Sequence, residues 1–432
     1  MTSWVLIDIL IVLVVARIVG SWSLRLGQPR VLGEIVAGVL LGPTLLGATW
    51  GAPWSFLPCR GADATFTSCL FPAEAKASLG AIGSIALLLF MFLVGLALPP
   101  GAVAGKQRQV GFVSAFVLGT PLLAGFFVVG SGLIDSELFQ GHTDGTLAFA
   151  IFVGALIAVS AFPVMVRILQ EMGLDATATA HVGISAAAVV TIGMFLISAT
   201  AITISASTTP VVDLALKYAL VASYLTVFIG LLPKLLHPFT QRCLAAGQLT
   251  PELFAVAFVV LFASGVIADR LGISVIVGGF VAGLALPERE RLNSELSPQL
   301  QPLVSIVLLP IFLAFSGLNT DFRQLTSSAL FGLVVFLIAS VVAKLGAGAV
   351  GARFAGLTWK EGALLGTLMN CRGLLVLVVA LDGVNAGLIS PAMQVCTVVA
   401  ALVTTGMTGP LVRRFGESHP AETDGLAVSR VE

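Results

Sequence analysis

The sequence predicts an all-α polytopic membrane protein with about 13 transmembrane helices. Of its 432 residues, 57% are hydrophobic and only 10% are charged, whereas a soluble protein carries roughly 25% charged residues. Such a chain cannot cover a water-facing surface. Its formal net charge is zero, with 22 basic and 22 acidic residues. The sequence contains no run of basic residues, so a nucleic acid is not expected as a partner. The expected partner is the lipid bilayer.

The apolar segments can be placed in order along the chain. A helix of about 20 apolar residues crosses the hydrocarbon core of a bilayer. The second and ninth segments are shorter and rich in glycine. The thirteen predicted spans are residues 4–19, 31–46, 79–98, 110–133, 147–169, 178–204, 211–232, 253–267, 273–286, 303–318, 330–350, 363–381 and 392–411.

The basic residues predict the orientation, because loops on the cytoplasmic side carry more lysine and arginine. One set of alternate loops holds few of them: Arg60, Lys76, Arg270 and Arg323. The opposite set holds Arg25, Arg30, Lys106, Arg108, Arg167, Lys234, Arg242, Arg289, Arg291, Arg353 and Lys360, followed by Arg413 and Arg414. We therefore expect a plasma-membrane protein with its N-terminus outside and its C-terminus in the cytoplasm.

The cysteines fit this orientation. Cys59 and Cys69 fall in the predicted exterior loop between the second and third spans, where a disulfide is possible because that compartment is oxidising. The other three cysteines are single and scattered. We therefore expect neither a metal site nor a cofactor.

An internal repeat organises the spans. Arg25-Leu26-Gly27, Gly33 and Val36-Ala37-Gly38 recur as Arg270-Leu271-Gly272, Gly278 and Val281-Ala282-Gly283, each 245 positions later. Further on, the segment around Gly95 matches that around Gly317. The spacing falls to 222 there because the cysteine loop of the first copy has no counterpart in the second. Matched spans lie seven apart, an odd number, so the two copies have opposite orientations. Such inverted repeats are typical of secondary transporters.

The repeat also predicts the domain organisation. One transmembrane domain is expected over residues 1–415, with a first six-helix repeat at about 4–206, a linker helix at about 211–232 and a second repeat at about 251–412. The polar tail at 416–432 has few apolar residues, and such a composition favours disorder.

Two spans are predicted to be broken helices that cross. GALIAVSAF from Gly154 aligns with GTLMNCRGL from Gly366. The first break is expected at Ser160-Ala161-Phe162-Pro163, where proline removes an amide donor, and the second at Asn370-Cys371-Arg372-Gly373. Arg372 would then lie near the membrane centre, where a charge indicates a functional role. The structural alternative is that it neutralises helix ends at the crossing.

Four segments resemble motifs of one family. They are LGQPRVLGEIVAGVLLGPTLLG (26–47), SAFPVMVRILQEMGL (160–174), FSGLNTD (315–321) and LMNCRGLLVLVV (368–379). They are similar to motifs of Kef-type and CHX-type members of the monovalent cation/proton antiporter superfamily. The resemblance implies the sodium/proton antiporter-like fold, a homodimer, and exchange of Na⁺ or K⁺ for protons.

The sequence departs from this family at its acidic positions. Family members usually carry one or two aspartates after SAAAV on the sixth span, and this pattern falls on Val190 and Thr191. A glutamate that often follows the RGL motif falls on Val376. A single carboxylate that binds cation and proton in turn is therefore missing, while Arg372 is kept.

The remaining polar residues provide the other candidates for a transport site. Ser160, Ser185, Thr191 and Asn370 can supply uncharged oxygens near the crossing, although small polar residues also pack membrane helices. Glu34 could carry a proton or pair at the cytoplasmic interface near Arg30. Lys344 could be a proton or charge partner, or it could extend along the membrane toward the interface at Arg353.

Three functions remain open from the sequence. The first is a cation/proton antiporter with a divergent site, and the second is a transporter of an anionic or carboxylate-bearing solute that uses Arg372. The third is a non-transporting membrane homologue. An enzyme is not expected, because we find no nucleophile–base pair, phosphate-binding loop or metal-ligand cluster.

Overall fold

The structure confirms an all-α chain. The computed structural model describes residues 2–26, 28, 30–42, 71, 73–98, 105–142, 145–174, 177–206, 210–245, 250–318 and 326–415. Within these ranges the only β-type pairing is an isolated bridge between Gln140 and Ile389. The predicted disulfide between Cys59 and Cys69 and the tail at 416–432 lie outside the described residues.

Within the described residues, eighteen helices are numbered in chain order, and π-helical segments join two pairs of them. The first nine are α1 (Thr2–Arg25), α2 (Arg30–Leu41), α3 (Ala73–Ala97), α4 (Gln107–Gly130), α5 (Ser136–Phe139), α6 (Thr146–Ala158), α7 (Phe162–Glu171), α8 (Ala178–Ala206) and α9 (Pro210–Leu225). The others are α10 (Leu232–Ala245), α11 (Pro251–Arg270), α12 (Val275–Ala285), α13 (Arg289–Leu303), α14 (Leu309–Leu318), α15 (Ser327–Phe354), α16 (Trp359–Met369), α17 (Leu374–Asn385) and α18 (Pro391–Phe415). The π-helical segments are Thr226–Leu231, between α9 and α10, and Val304–Leu308, between α13 and α14.

The lengths of these helices agree with thirteen membrane crossings. Among the described residues, nine helical stretches are long and apolar enough to span a bilayer, and four apolar helices are shorter. Two of the short helices, Leu32–Leu41 and Val275–Ala285, are the predicted second and ninth spans. The other two, Thr146–Ala158 and Leu375–Asn385, are each one half of a predicted broken span.

The packing of α1 on α2 is repeated by α11 on α12. A Cβ added at Gly33 would lie 2.7 Å from the Cα of Gly20, and one added at Gly278 would lie 2.7 Å from the Cα of Gly265. Both pairs are related by the spacing of 245 found in the sequence. The repeated glycines are therefore needed because two helix backbones touch at the same place in each copy.

The two repeats also pack against each other in a reciprocal way. Gly38 on α2 lies against the backbone of Ala314 on α14, and Gly283 on α12 lies against the backbone of Phe92 on α3. Gly38 and Gly283 are counterparts at the 245 spacing, and Phe92 and Ala314 at the 222 spacing. Each short helix thus contacts the third span of the opposite repeat, which is what an inverted repeat requires.

A second group of helices holds the two broken spans. A Cβ at Gly125 of α4 would lie 2.6 Å from the Cα of Gly154 on α6, and one at Gly348 of α15 would lie 2.5 Å from the backbone nitrogen of Gly366 on α16. Gly154 and Gly366 are the aligned glycines of the predicted broken helices. The same close crossing therefore positions both broken helices against their neighbours.

Candidate transport site

The first break lies between α6 and α7. Helix α6 ends at Ala158, and α7 begins at Phe162. The break is thus at residues 159–161, slightly before the predicted one, and Phe162 and Pro163 belong to the first turn of α7. Proline is tolerated there because the first amides of a helix have no intrahelical acceptor. The Pro163 ring is not among the described side chains.

The second break lies between α16 and α17, at the predicted residues 370–373. The two breaks are joined directly, because the backbone N–H of Ala161 donates to the carbonyl of Cys371 at 2.8 Å. The Ser160 hydroxyl donates to the carbonyl of Met369, also at 2.8 Å. Unwound backbone at membrane depth needs such partners, because lipid offers none. The predicted crossing is therefore present.

Arg372 binds the C-terminal end of α6. Its side chain is fully buried, and its two terminal nitrogens donate to the carbonyls of Leu156 at 2.9 Å and Ile157 at 2.7 Å. The guanidinium carbon lies 5.8 Å from the ring centre of Phe336. The last carbonyls of a helix carry partial negative charge. These contacts place the positive charge of Arg372 at a helix end, which is the arrangement that the structural alternative requires.

Lys344 lies at the same helix end. Its side chain is fully buried, and its ammonium donates to the carbonyl of Ala158 and, at 2.6 Å, to the Ser160 hydroxyl. The expectation that it extends toward Arg353 at the interface is wrong. Lys344 shares a face of α15 with Ser340 and Phe336, and this face points toward the crossing, where free carbonyls accept the ammonium.

A pattern in the sequence indicates that Lys344 points into the protein. Phe336, Ser340, Lys344 and Gly348 recur every four residues, so they share one helix face. Gly348 is one of the residues by which α15 touches α16. A lysine on that face must point into the protein rather than into lipid.

Helix α8 carries the positions where an acid was expected. Val190 is fully buried, and Thr191 is almost fully buried. The Thr191 hydroxyl donates to the carbonyl of Ala187 within α8, at 2.8 Å. Ser185, on the same helix, is buried and its hydroxyl has no partner among the described residues. This helix therefore brings oxygens and no carboxylate.

Two further candidates differ in their location. Asn370 is buried at the second break, and its side-chain oxygen has no hydrogen-bond partner within the described ranges. Glu34 is buried on α2, where its carboxylate lies 3.9 Å from the Arg30 side chain. Helix α2 packs mainly on α1 and α14. Glu34 thus lies beside Arg30 in the other helix group, and its interfacial role stays a prediction.

The crossing holds two buried cations and no described buried acid. On α4, α6–α8 and α15–α18, the described acidic side chains are Glu361, in the first turn of α16, and Asp382, near the end of α17, and neither is buried. The buried acids of the described chain are Asp8 on α1 and Glu34 on α2. Two broken helices that cross within an inverted repeat define a secondary transporter fold.

Comparisons with known proteins agree with this class. The family profile described as "Sodium/hydrogen exchanger, transmembrane" matches residues 9–416. The chain is 33% identical over 416 residues to the Na(+)/H(+) antiporter NhaS4 of Synechocystis sp., covering 94% of this chain and 96% of that protein. It is 29% identical to the K(+)/H(+) antiporter 1 of Saccharomyces cerevisiae, covering 96% of this chain and 48%, about half, of that protein.

A solved structure shows the same fold. The sodium proton antiporter MjNhaP1 of Methanocaldococcus jannaschii superposes with a TM-score of 0.58 at 13% identity, covering 95% of this chain and 98% of that one. The chain belongs to the sodium/hydrogen exchanger family of multi-pass membrane transporters. The sequence resemblance and the predicted fold class are thereby confirmed. The comparisons do not favour the anionic-solute or the non-transporting alternative.

Proposed function

We propose that this protein is a monovalent cation/proton antiporter that exchanges Na⁺ or K⁺ for protons across the plasma membrane. The N-terminus lies outside, the C-terminus lies in the cytoplasm, and the protein forms a homodimer; the charge distribution supports the orientation, and the family resemblance supports the dimer. The observation that carries the proposal is the buried Lys344 ammonium, held by neutral oxygens at the crossing.

The Lys344 ammonium is itself a tethered monovalent cation. Its two acceptors are the carbonyl of Ala158 and the hydroxyl of Ser160. Uncharged oxygens of this kind replace the hydration shell of monovalent cations in other membrane proteins. The partial negative charge at the end of α6 also favours any cation placed there. The position of the ammonium therefore marks a place that suits a transported cation.

Exchange follows from competition for these oxygens. When Lys344 releases its proton to water, the neutral amine no longer needs both acceptors, and a substrate cation can bind them. When the cation leaves, Lys344 takes up a proton and returns to Ala158 and Ser160. The net charge of the site is the same in both states. No carboxylate on α8 is needed, which is consistent with Val190 and Thr191 at the family's acidic positions.

Other oxygens near the crossing complete the proposed cation site. The side-chain oxygen of Asn370 and the hydroxyl of Ser185 have no partner among the described residues, so they can turn toward a cation without breaking a bond. The hydroxyl of Thr191 keeps lone pairs that its bond to Ala187 does not use. Arg372 stays bound to Leu156 and Ile157 and keeps the end of α6 in place.

A flux experiment tests the function and the role of Lys344 together. Purified protein in liposomes that contain a pH-sensitive dye receives an outside pulse of NaCl or KCl, and proton efflux then raises the internal pH. Lys344→Met, which has no titratable group, should abolish the signal. Lys344→Arg, which keeps the charge but does not release a proton near neutral pH, should abolish it as well. Lys360→Met, at an exposed position of α16, is the control and should keep full activity.

The possible results separate the two claims. If neither cation moves protons through the native protein, the antiporter proposal is wrong. If Lys344→Arg exchanges as fast as the native protein, antiport stands, and Lys344 only neutralises a helix end, as Arg372 does.

A further inference from the structure

At least three hydrogen-bond donors at the crossing have no acceptor among the described residues. An ammonium has three N–H groups, and Lys344 uses two of them on Ala158 and Ser160. The Nε–H of Arg372 and the hydroxyl of Ser340 are buried and have no partner among the described residues. Buried polar groups in folded proteins are nearly always paired, so three neighbouring orphan donors indicate a bound acceptor.

The three donors are close together. Arg372 and Lys344 bind successive carbonyls of α6, those of Ile157 and Ala158. Ser340 lies one turn from Lys344 on α15, and residues at this spacing have Cβ atoms about 5–6 Å apart. One turn further along the same face, Phe336 lies under the Arg372 guanidinium. Ser340 therefore lies between the two cationic side chains.

The charge at this place is also unbalanced. Two fully buried cations meet there, while the described acidic side chains of the surrounding helices lie at helix ends. Removing charges from water is costly unless opposite charge compensates them. A water molecule could accept hydrogen bonds from these donors, but it would leave the two positive charges uncompensated.

We propose that a small monovalent anion of halide size binds between Lys344, Arg372 and Ser340. Its ligands are the third N–H of Lys344, the Nε–H of Arg372 and the O–H of Ser340, all of which donate. The anion is a resident counter-ion, not the transported solute. It lowers the repulsion that a substrate cation meets beside Arg372. The assignment depends on the donors and the charges, and it holds whether or not the proposed exchange takes place.

Anion replacement in the purified protein tests the site. Thermal unfolding in detergent is measured at constant pH, sodium concentration and ionic strength, while gluconate is replaced by chloride or bromide. A halide that binds only the folded state raises the melting temperature in a saturable way. Ser340→Ala removes one donor to an anion and should raise the half-saturating halide concentration at least tenfold. Ser198→Ala, at a buried serine of α8 that belongs to neither proposed site and bonds to the carbonyl of Phe195 within its own helix, should leave it unchanged.

A structural measurement covers the case in which Ser340→Ala does not fold. Crystals of the native protein grown in NaBr should show a bromide anomalous peak within about 3.5 Å of Lys344 Nζ and Ser340 Oγ. The proposal is overturned if this position shows no such peak, or if chloride, bromide and gluconate give the same melting curve. Halide binding without any cation-driven proton flux would refute the proposed antiport and leave the anion site intact.

Discussion

The contact between Gly348 and Gly366 links the stability of the fold to the geometry of the site. Gly348 lies on α15, one turn beyond Lys344, and a Cβ placed there would lie 2.5 Å from the backbone nitrogen of Gly366. Ordinary contact begins near 3.4 Å, so Gly348→Ala must separate α15 from α16 by about 1 Å. Overpacking of this kind costs about 1–3 kcal/mol, against a gain of up to about 1 kcal/mol from the helix preference of alanine.

The same displacement acts on Lys344. Its ammonium lies 2.6 Å from the Ser160 hydroxyl, and a shift of about 1 Å extends this distance beyond hydrogen-bonding range. Misplacement by that amount can lower a rate about 100-fold. We expect Gly348→Ala to lower both the melting temperature in detergent and the rate of cation-driven proton movement.

Gly346 provides the matched control, because it lies on the same helix and an added Cβ would meet no atom of the described residues within 4 Å. Gly346→Ala should stabilise the protein by up to about 1 kcal/mol and leave exchange unchanged. The reasoning is refuted if the two alanine variants unfold at the same temperature and exchange at the same rate.

Three other predictions follow from the site and its supports. Ser160→Ala removes an acceptor of the Lys344 ammonium and should move the pH of half-maximal exchange about 1–2 units lower, whereas Ser160→Thr should keep the native profile. Thr191→Asp places a carboxylate on α8, and we expect it to remove the stabilisation by halide in thermal unfolding. Thr358 accepts the N–H of Glu361 at 3.3 Å as the N-cap of α16, so Thr358→Ala should lower the free energy of unfolding by about 1 kcal/mol, measured by denaturant titration.

The sequence was sufficient to predict the repeat and the crossing, because both depend on backbone contacts that only small residues allow. Gly33 and Gly278 are required where helix backbones touch, so their 245-residue spacing reports the fold directly. Gly154 and Gly366 are likewise required where the broken helices touch their neighbours. The aligned segments therefore predicted the second break at the correct residues.

The direction of the Lys344 side chain could not be predicted from hydropathy alone. Lys344 lies six residues before the end of its predicted span at 330–350. A lysine there can reach either the interface or the protein interior, and the choice depends on which way its helix face is turned. The contact of Gly348 with Gly366 helps to set the rotation of α15 about its axis. The hydropathy of one span contains no information about such a contact between helices. Pro163 also led to a small error in the predicted first break, because this proline lies in the first turn of α7 and not in the unwound segment.

The inverted repeat also explains why the site is chemically asymmetric. Ser160 and Arg372 are counterparts in the aligned segments, and they make reciprocal bonds, Ser160 to Met369 and Arg372 to Ile157. Each break thus binds the end of the opposite broken helix. The symmetry ends at α15, because the spacing that relates Gly348 to Gly125 relates Lys344 to Pro121 on α4, which has no side-chain donor. In the antiport that we propose, Lys344 gives this symmetric scaffold a proton-binding group at one helix end only, and cation and proton compete at that end.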